Sequence, residues 1–255
     1  MSGGALAGRR VVVVGASAGI GRAFAVEAAA SGADVVLAAR RQDVLAAVVA
    51  EAGSGLGVAL DVGDPAGRAA LVDLLAGGPP VDLVLVTVGV ADLRPLAEVD
   101  EARWSTMLTT NLVGVARLLD ELRAVLAPTG IFAVTSSETG RAPRLGLVPY
   151  AATKAGLEAV LAGLRVEHPG LRVSCIVVGA TFPTEFGSGF EADHLTTAMA
   201  SWQAHGQLPQ VFMTPEDVGA VLVDVYATAL AHPGVGVEEI TLRSPSPVLG
   251  LEPPS

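Results

Sequence analysis

Lysine is almost missing from this chain. Lys154 is the only one among 255 residues, and the other fifteen basic residues are arginine. Cysteine is equally scarce: Cys175 stands alone, which excludes an intramolecular disulfide and a multi-cysteine zinc site. Long apolar runs are lacking too, because Glu27 and Asp34 interrupt the longest candidate before it reaches about 18 residues, so no membrane span is expected. Positive charge is short overall, with a formal balance of −10, and this argues against a nucleic-acid or anionic-membrane surface. Charged residues make up only 16%, while hydrophobic residues reach 51%. A sizeable buried core is therefore expected, and general disorder is not.

Arg9-Arg10 before Val11–Val14 could open a twin-arginine export signal, but Gly15 ends the apolar run too soon for an h-region. A buried strand in a cytoplasmic protein is the reading adopted. The four histidines, His168, His194, His205 and His232, are dispersed, two of them before Pro-Gly turns, and read as solvated caps with no metal site. Cys175 falls in a predicted strand and reads as an inert core residue.

What is present alternates. Val11–Val14 is a short β-branched run of the kind buried on both faces of a sheet. An Ala-rich helix from about Ile20 to Ser31 follows, then a strand at Val35–Ala38, a helix at Gln42–Ala52 and a strand at Gly57–Leu60. Asp64 and Pro65 cap and open the next helix, and Leu83–Val86 is the fourth strand. One long helix is predicted from Asp100 to about Leu126, then a strand at Ile131–Thr135 and a helix from Tyr150 to about Glu167. A sixth strand at Val173–Val178, a capped helix from Thr214 to Ala231 and a last strand at Glu239–Leu242 complete the pattern. Six alternations with short connections imply one α/β domain, a doubly wound Rossmann-type parallel sheet of about seven strands with helices on both faces. The domain is expected over residues 1–243, with a lid at about 182–210 and a loosely held Pro-rich tail over 244–255.

The first strand delivers Gly15-Ala16-Ser17-Ala18-Gly19-Ile20-Gly21 into a helix. Glycines at such a turn let the backbone approach a pyrophosphate, which the helix N-terminus attracts. The second strand ends in Ala38-Ala39-Arg40-Arg41, with no acid for the ribose hydroxyls of NAD and two arginines suited to the 2′-phosphate of NADP. NADP(H) is the expected cofactor and NAD(H) the runner-up. Asp61 could accept from an adenine amine or serve as a helix or turn cap.

Gly15-x3-Gly19-Ile20-Gly21, Asn111, Ser137 and Tyr150-x3-Lys154, in this order and register, resemble the short-chain dehydrogenase/reductase family over about residues 9–184. The resemblance implies an oxidoreductase interconverting a carbonyl and an alcohol by hydride transfer. It implies Tyr150 as general acid or base, Lys154 as the charge that, with that of an oxidised nicotinamide, lowers its pKa and as the holder of the nicotinamide ribose, and Ser137 as the orienter of the substrate oxygen. Asn111 would help a water-mediated relay. Cofactor contacts are implied at Gly15, Ser17, Gly19, Ile20, Gly21, Arg40, Arg41, Asp61, Val62, Gly89, Tyr150, Lys154 and Thr184. A homodimer or homotetramer packed through the Tyr150 helix, acting on a small-molecule carbonyl or alcohol, is also implied.

The chain departs from the family pattern in three places. Val14 precedes the first glycine where Thr is usual, and Val178-Gly179 replaces Pro-Gly, with Thr184 one residue late. Val86-Thr87-Val88-Gly89 replaces Asn-Asn-Ala-Gly, so the amide bonds that fasten the central sheet are expected to be missing. Arg141 and Arg144 could meet an acidic substrate or face solvent, and Phe186, Phe190, Leu195, Met199 and Trp202 would form an apolar lid. Two alternatives stay open: a catalytically silent dinucleotide-binding scaffold or sensor, and a ketoacyl-carrier-protein reductase. The latter needs a basic docking patch that a −10 chain is poorly placed to offer.

Overall fold

Valines in unbroken runs make strands that must be covered on both faces, and that is how this chain is built. A computed structural model describes residues 4–249. Its sheet comprises β1 (Arg10–Val14), β2 (Asp34–Ala39), β3 (Leu56–Ala59), β4 (Val81–Val86), β5 (Leu126–Ser137), β6 (Arg172–Val178) and β7 (Glu239–Leu242). All neighbours pair in parallel, in the order β3-β2-β1-β4-β5-β6-β7. Helices α1 (Gly19–Ala30), α2 (Gln42–Ala52), α3 (Pro65–Ala76), α4 (Glu101–Leu108), α5 (Gly114–Leu122), α6 (Glu138–Arg141), α7 (Val148–Glu167), α8 (Ala192–Ala204) and α9 (Pro215–Ala231) complete the described chain.

Successive strand residues point to opposite faces, and the two cores follow this alternation. Val11, Val13, Val35, Leu37, Leu83 and Leu85 bury one face beneath α1 and α9. Val12, Val14, Val36, Val84 and Val86 bury the other beneath α3, α5 and α7. The basic pair Arg9-Arg10, at the start of β1, is built into the sheet's lower edge. Arg9 pairs with Asp82 at 2.9 Å, and Arg10 donates to the carbonyls of Leu75 and Pro79.

The strand order reverses between β1 and β4, the switch point where ligands bind in open parallel sheets. Loops from the two strands diverge there and leave a cleft at their carboxyl ends. The caps foreseen from the sequence are present: Asp64 accepts from the N–H groups of Ala66 and Gly67, and Thr214 accepts from that of Asp217.

Two elements differ from expectation. The single helix from Asp100 is interrupted by a π-helical turn over Thr109–Val113 and ends at Leu122. Gly114 explains the position of the break: a Cβ there would sit 2.7 Å from both the Thr109 and Val62 carbonyls, so only glycine permits this approach. β5 begins at Leu126 and passes a register shift opposite Val81–Leu83 before reaching Ile131. The segment after β7 is also held more firmly than its composition suggests. Ser246 bonds both the N–H and the carbonyl of Val211, and Leu249 donates its N–H to Leu208. Residues 250–255 of the predicted tail lie outside the described residues.

Candidate active site

The cleft at the switch point has a volume of about 690 Å³ and is lined by every cofactor position that the sequence pointed to, from Gly15 to Thr184. Its floor is the turn leaving β1. Gly15 at φ 96° and Gly19 at φ 52° adopt left-handed backbone that suits glycine. A Cβ on Gly15 would meet the Thr87 hydroxyl at 2.6 Å, and one on Gly21 would collide with the Gly15 carbonyl. Bare backbone and the N-terminus of α1 thus face the cleft together, a cradle fitted to the pyrophosphate of a nicotinamide dinucleotide.

The Val86–Gly89 segment carries no side-chain amide, as the sequence implied, and Thr87 supplies a hydroxyl in that place. Its hydroxyl lies 3.2 Å from the carbonyls of both Val14 and Gly15, and Thr135 adds a bond from β5 to the Val86 carbonyl. A hydroxyl at the strand end replaces the missing amides, because the turn lies close enough for a short side chain to reach it.

At the cleft's adenosine end Arg40 is exposed, while Arg41 crosses to the far wall. Its guanidinium takes both oxygens of Glu185, at 2.9 and 2.5 Å, and also reaches the Ser17 hydroxyl at 3.2 Å. That bidentate bond holds the guanidinium pKa above the ordinary value. Asp61 lines the cleft and also caps its own turn, accepting from the Gly63 N–H at 2.8 Å. Val62 lines the wall behind it, and Thr184 lies opposite Gly19.

The reactive end is built by β5 and α7. Tyr150 and Lys154 are one helical turn apart on the inner face of α7, with relative exposures of 7% and 2%. The Lys154 ammonium donates to the Thr135 carbonyl at 2.9 Å, faces the Val88 carbonyl at 3.5 Å, and lies 5.9 Å from the centre of the Tyr150 ring. Gly89 lies beside it: a Cβ there would be in ordinary contact, 3.5 Å from Nζ. Burial lowers the ammonium pKa to about 8. Ser137 ends β5, caps α6 by accepting from the Thr139 N–H, and presents its hydroxyl to Tyr150.

Burial pushes the Tyr150 phenol up to about 12, against the smaller opposing pulls of Ser137 and of the Arg144 charge. Lowering was expected from Lys154 together with the positive charge of an oxidised nicotinamide; the protein's own groups, taken alone, raise the phenol. The ammonium is turned towards backbone carbonyls under the ring, so removing the phenol from water outweighs its influence. Burial thus favours the protonated phenol beside the Lys154 ammonium.

Asn111 does not line the cleft. It is fully buried in the π-helical turn, where Oδ1 accepts from the Val90 N–H and Nδ2 donates to the Val90 carbonyl and the Thr153 hydroxyl. Thr153 in turn donates to the Tyr150 carbonyl at 2.8 Å. Both amide hydrogens are thus committed, and the side chain clamps the loop after β4 to α7.

The lid meets the site through Phe186, whose ring centre is 5.1 Å from that of Tyr150, and Phe190 stacks behind it at 5.5 Å. Met199 and Trp202 line the cleft from α8, whereas Leu195 is exposed. Arg141 is drawn away from the cleft, to Glu158 and Glu239. Arg144 lines the cleft. Two groups were not singled out from the sequence: Thr87, and Glu138 beside Ser137. Their signals were position alone, at the ends of β4 and β5.

A family model described as short chain dehydrogenase matches residues 9–194. The chain is 33% identical over 231 residues to cis-4-hydroxycyclohexanecarboxylate dehydrogenase of Sinomonas cyclohexanicum, covering 86% of this chain and 90% of that protein. It is also 33% identical over 199 residues to glycine betaine reductase of Emericella nidulans, matching 74% of this chain but only 16% of that longer protein. Among solved structures it is similar to an alcohol dehydrogenase from Thermococcus sibiricus complexed with 5-hydroxy-NADP. There the TM-score is 0.76 at 23% identity, over 97% of this chain and 99% of that one, which shows the shared fold.

The chain has only two tyrosines, and burial raises the pKa of both Tyr150 and Tyr226. Spectrophotometric titration of the cofactor-free protein is therefore expected to show no tyrosinate near pH 10, where free tyrosine ionises. One tyrosine titrating at or below that value would contradict the burial-dominated account.

Proposed function

The chain belongs to the short-chain dehydrogenase family, and from that membership we propose that it interconverts a carbonyl and an alcohol using NADP(H). The observation that carries this reading is the pairing of a buried, protonated Tyr150 with Lys154 beneath a glycine-floored cleft. In the reductive direction a bound nicotinamide supplies the hydride. Ser137 donates a hydrogen bond to the substrate oxygen and holds it against Tyr150. As negative charge develops on that oxygen, the Tyr150 hydroxyl donates its proton. The general-acid step contributes about 10²–10⁴ in rate. Lys154 offsets the phenolate that remains, and the Thr135 and Val88 carbonyls fix where its charge lies. Asn111 acts as a positioning residue that keeps the Val90 loop and α7 in register.

The NADP preference rests on Arg40 and Arg41 at the end of β2, with no acid there to bond ribose hydroxyls. Arg40 is the exposed phosphate partner. Arg41 must release Glu185 before it can help, so the lid and the phosphate compete for one guanidinium. Thr184, Ser17 and Val62 would complete the cofactor's lining. A second copy would pack on the apolar face of α7, where Ala152, Ala155, Ala159, Ala162 and Val166 are exposed at helical spacing.

The substrate named for the Sinomonas relative bears a carboxylate, and an acid of this kind is compatible with the Arg144 side of the cleft. A silent scaffold would not require an intact proton-transfer pair, which favours turnover over that alternative.

Tyr150→Phe is expected to lower carbonyl reduction by about 10² or more while NADPH still binds. Undiminished turnover, followed by loss of NADPH absorbance, would refute the assignment. Arg40→Ala is expected to weaken NADPH binding about tenfold or more and leave NADH little changed, as fluorescence titration would read. An unaltered NADPH-to-NADH ratio would overturn the role of Arg40.

A further inference from the structure

We propose that the substrate carries a carboxylate and that Arg144 receives it, which makes Arg144 the specificity-determining residue of this site. The proposal rests on the carbonyl–alcohol reading above and deepens it, because that reading assigns no residue to the substrate's far end.

Arg144 stands in the short connection between α6 and α7, and its side chain is only 14% exposed. It lines the same cleft as Tyr150 and Ser137, its charge acts on the phenol, and its guanidinium carbon lies 6.0 Å from the Trp202 ring. The remaining wall at this end is apolar, formed by Leu147, Phe186, Met199, Trp202 and Leu208. Such a wall suits a compact hydrocarbon body and is a costly setting for an excess charge.

The charge there is in excess. Arg144 has a single side-chain partner among the described residues, Glu138, reached from Nη2 at 3.3 Å. That distance is long beside the about 2.7–2.9 Å of a tight charge-assisted bond. Glu138 is moreover shared, since its other oxygen is taken by Arg243. Two guanidiniums on one carboxylate leave one positive charge over, and of the two only Arg144 lies in the cleft. The neighbouring arginines are saturated by contrast: Arg141 holds Glu158 and Glu239, and Arg94 holds Asp92 and Glu191. Of these arginines, Arg144 alone lines the cleft that holds Tyr150 and Ser137.

A planar guanidinium matches a carboxylate bidentately. An acid docked on Arg144 would neutralise the surplus charge and anchor one end of the substrate. Its apolar body would then lie against Phe186 and Trp202, with the carbonyl towards Ser137 and Tyr150.

The test compares kcat/KM for short oxo acids and their methyl esters with NADPH, in the intact enzyme and in Arg144→Met and Arg144→Lys. The unaltered enzyme is expected to prefer the acids at least tenfold. Arg144→Met should reduce the acid-to-ester ratio at least tenfold, mainly through KM, and Arg144→Lys should restore part of it. Equal use of acid and ester, or a ratio that Arg144→Met leaves unchanged, would overturn the proposal. Binding is read separately from turnover by titrating the NADPH-loaded protein with cyclohexanecarboxylate and following the fluorescence of Trp202 beside Arg144. Saturation that is weakened at least tenfold in Arg144→Met supports the anion site, and its absence in the unaltered protein refutes it. Failure to turn over any ketone, with this titration intact, would instead remove the oxidoreductase reading alone.

Discussion

The site depends on how one ammonium is buried. Lys154 is the only lysine in the chain and is almost wholly withdrawn from water, so its charge needs partners that cannot move away. It finds them in the carbonyls of Thr135 and Val88, which leave the ends of β5 and β4. That requirement ties the two central strands to α7. It also gives Asn111 a task, to hold the Val90 loop against the same helix from within the π-helical turn. Tyr150 inherits its position from this arrangement.

The cofactor half of the cleft answers to a second constraint, bare backbone at a strand-to-helix turn. Here the chain solves a familiar packing problem with a different group. A threonine hydroxyl at the end of β4 bonds the carbonyls that amide side chains would otherwise hold, and the turn stays closed beneath the pyrophosphate cradle. Arg41 links this cradle to the lid through Glu185, so phosphate binding and lid position draw on the same guanidinium.

Much of this was legible in the residues. Alternating valine-rich strands and Ala-rich helices carry the doubly wound sheet, and the spacing of Ser137, Tyr150 and Lys154 marks one end of β5 and one face of α7. What was not legible depends on distances between segments far apart in the chain. Nothing local to Thr87 says that Val14 and Gly15 lie within reach of its hydroxyl. Nothing in the Asp100–Leu122 pattern breaks its helical period, yet the approach of Val62 opens a π-turn. The spacing of Lys154 and Tyr150 shows that they share a helix face, but not that the ammonium points at the Thr135 and Val88 carbonyls or that burial of the ring raises the phenol. The last described residues read as loose from their prolines, but Ser246 and Leu249 fasten them to the segment ahead of α9.

The two halves of the cleft make one chemical claim: a carbonyl held by Ser137 and Tyr150 takes a hydride from the cofactor cradled above α1. Reduction of an oxo acid with NADPH carrying deuterium at the transferring carbon of its nicotinamide tests this directly. The account predicts an alcohol with one deuterium on the carbon that had been the carbonyl, formed in step with NADPH loss. An unlabelled alcohol, or NADPH loss without alcohol, would contradict it.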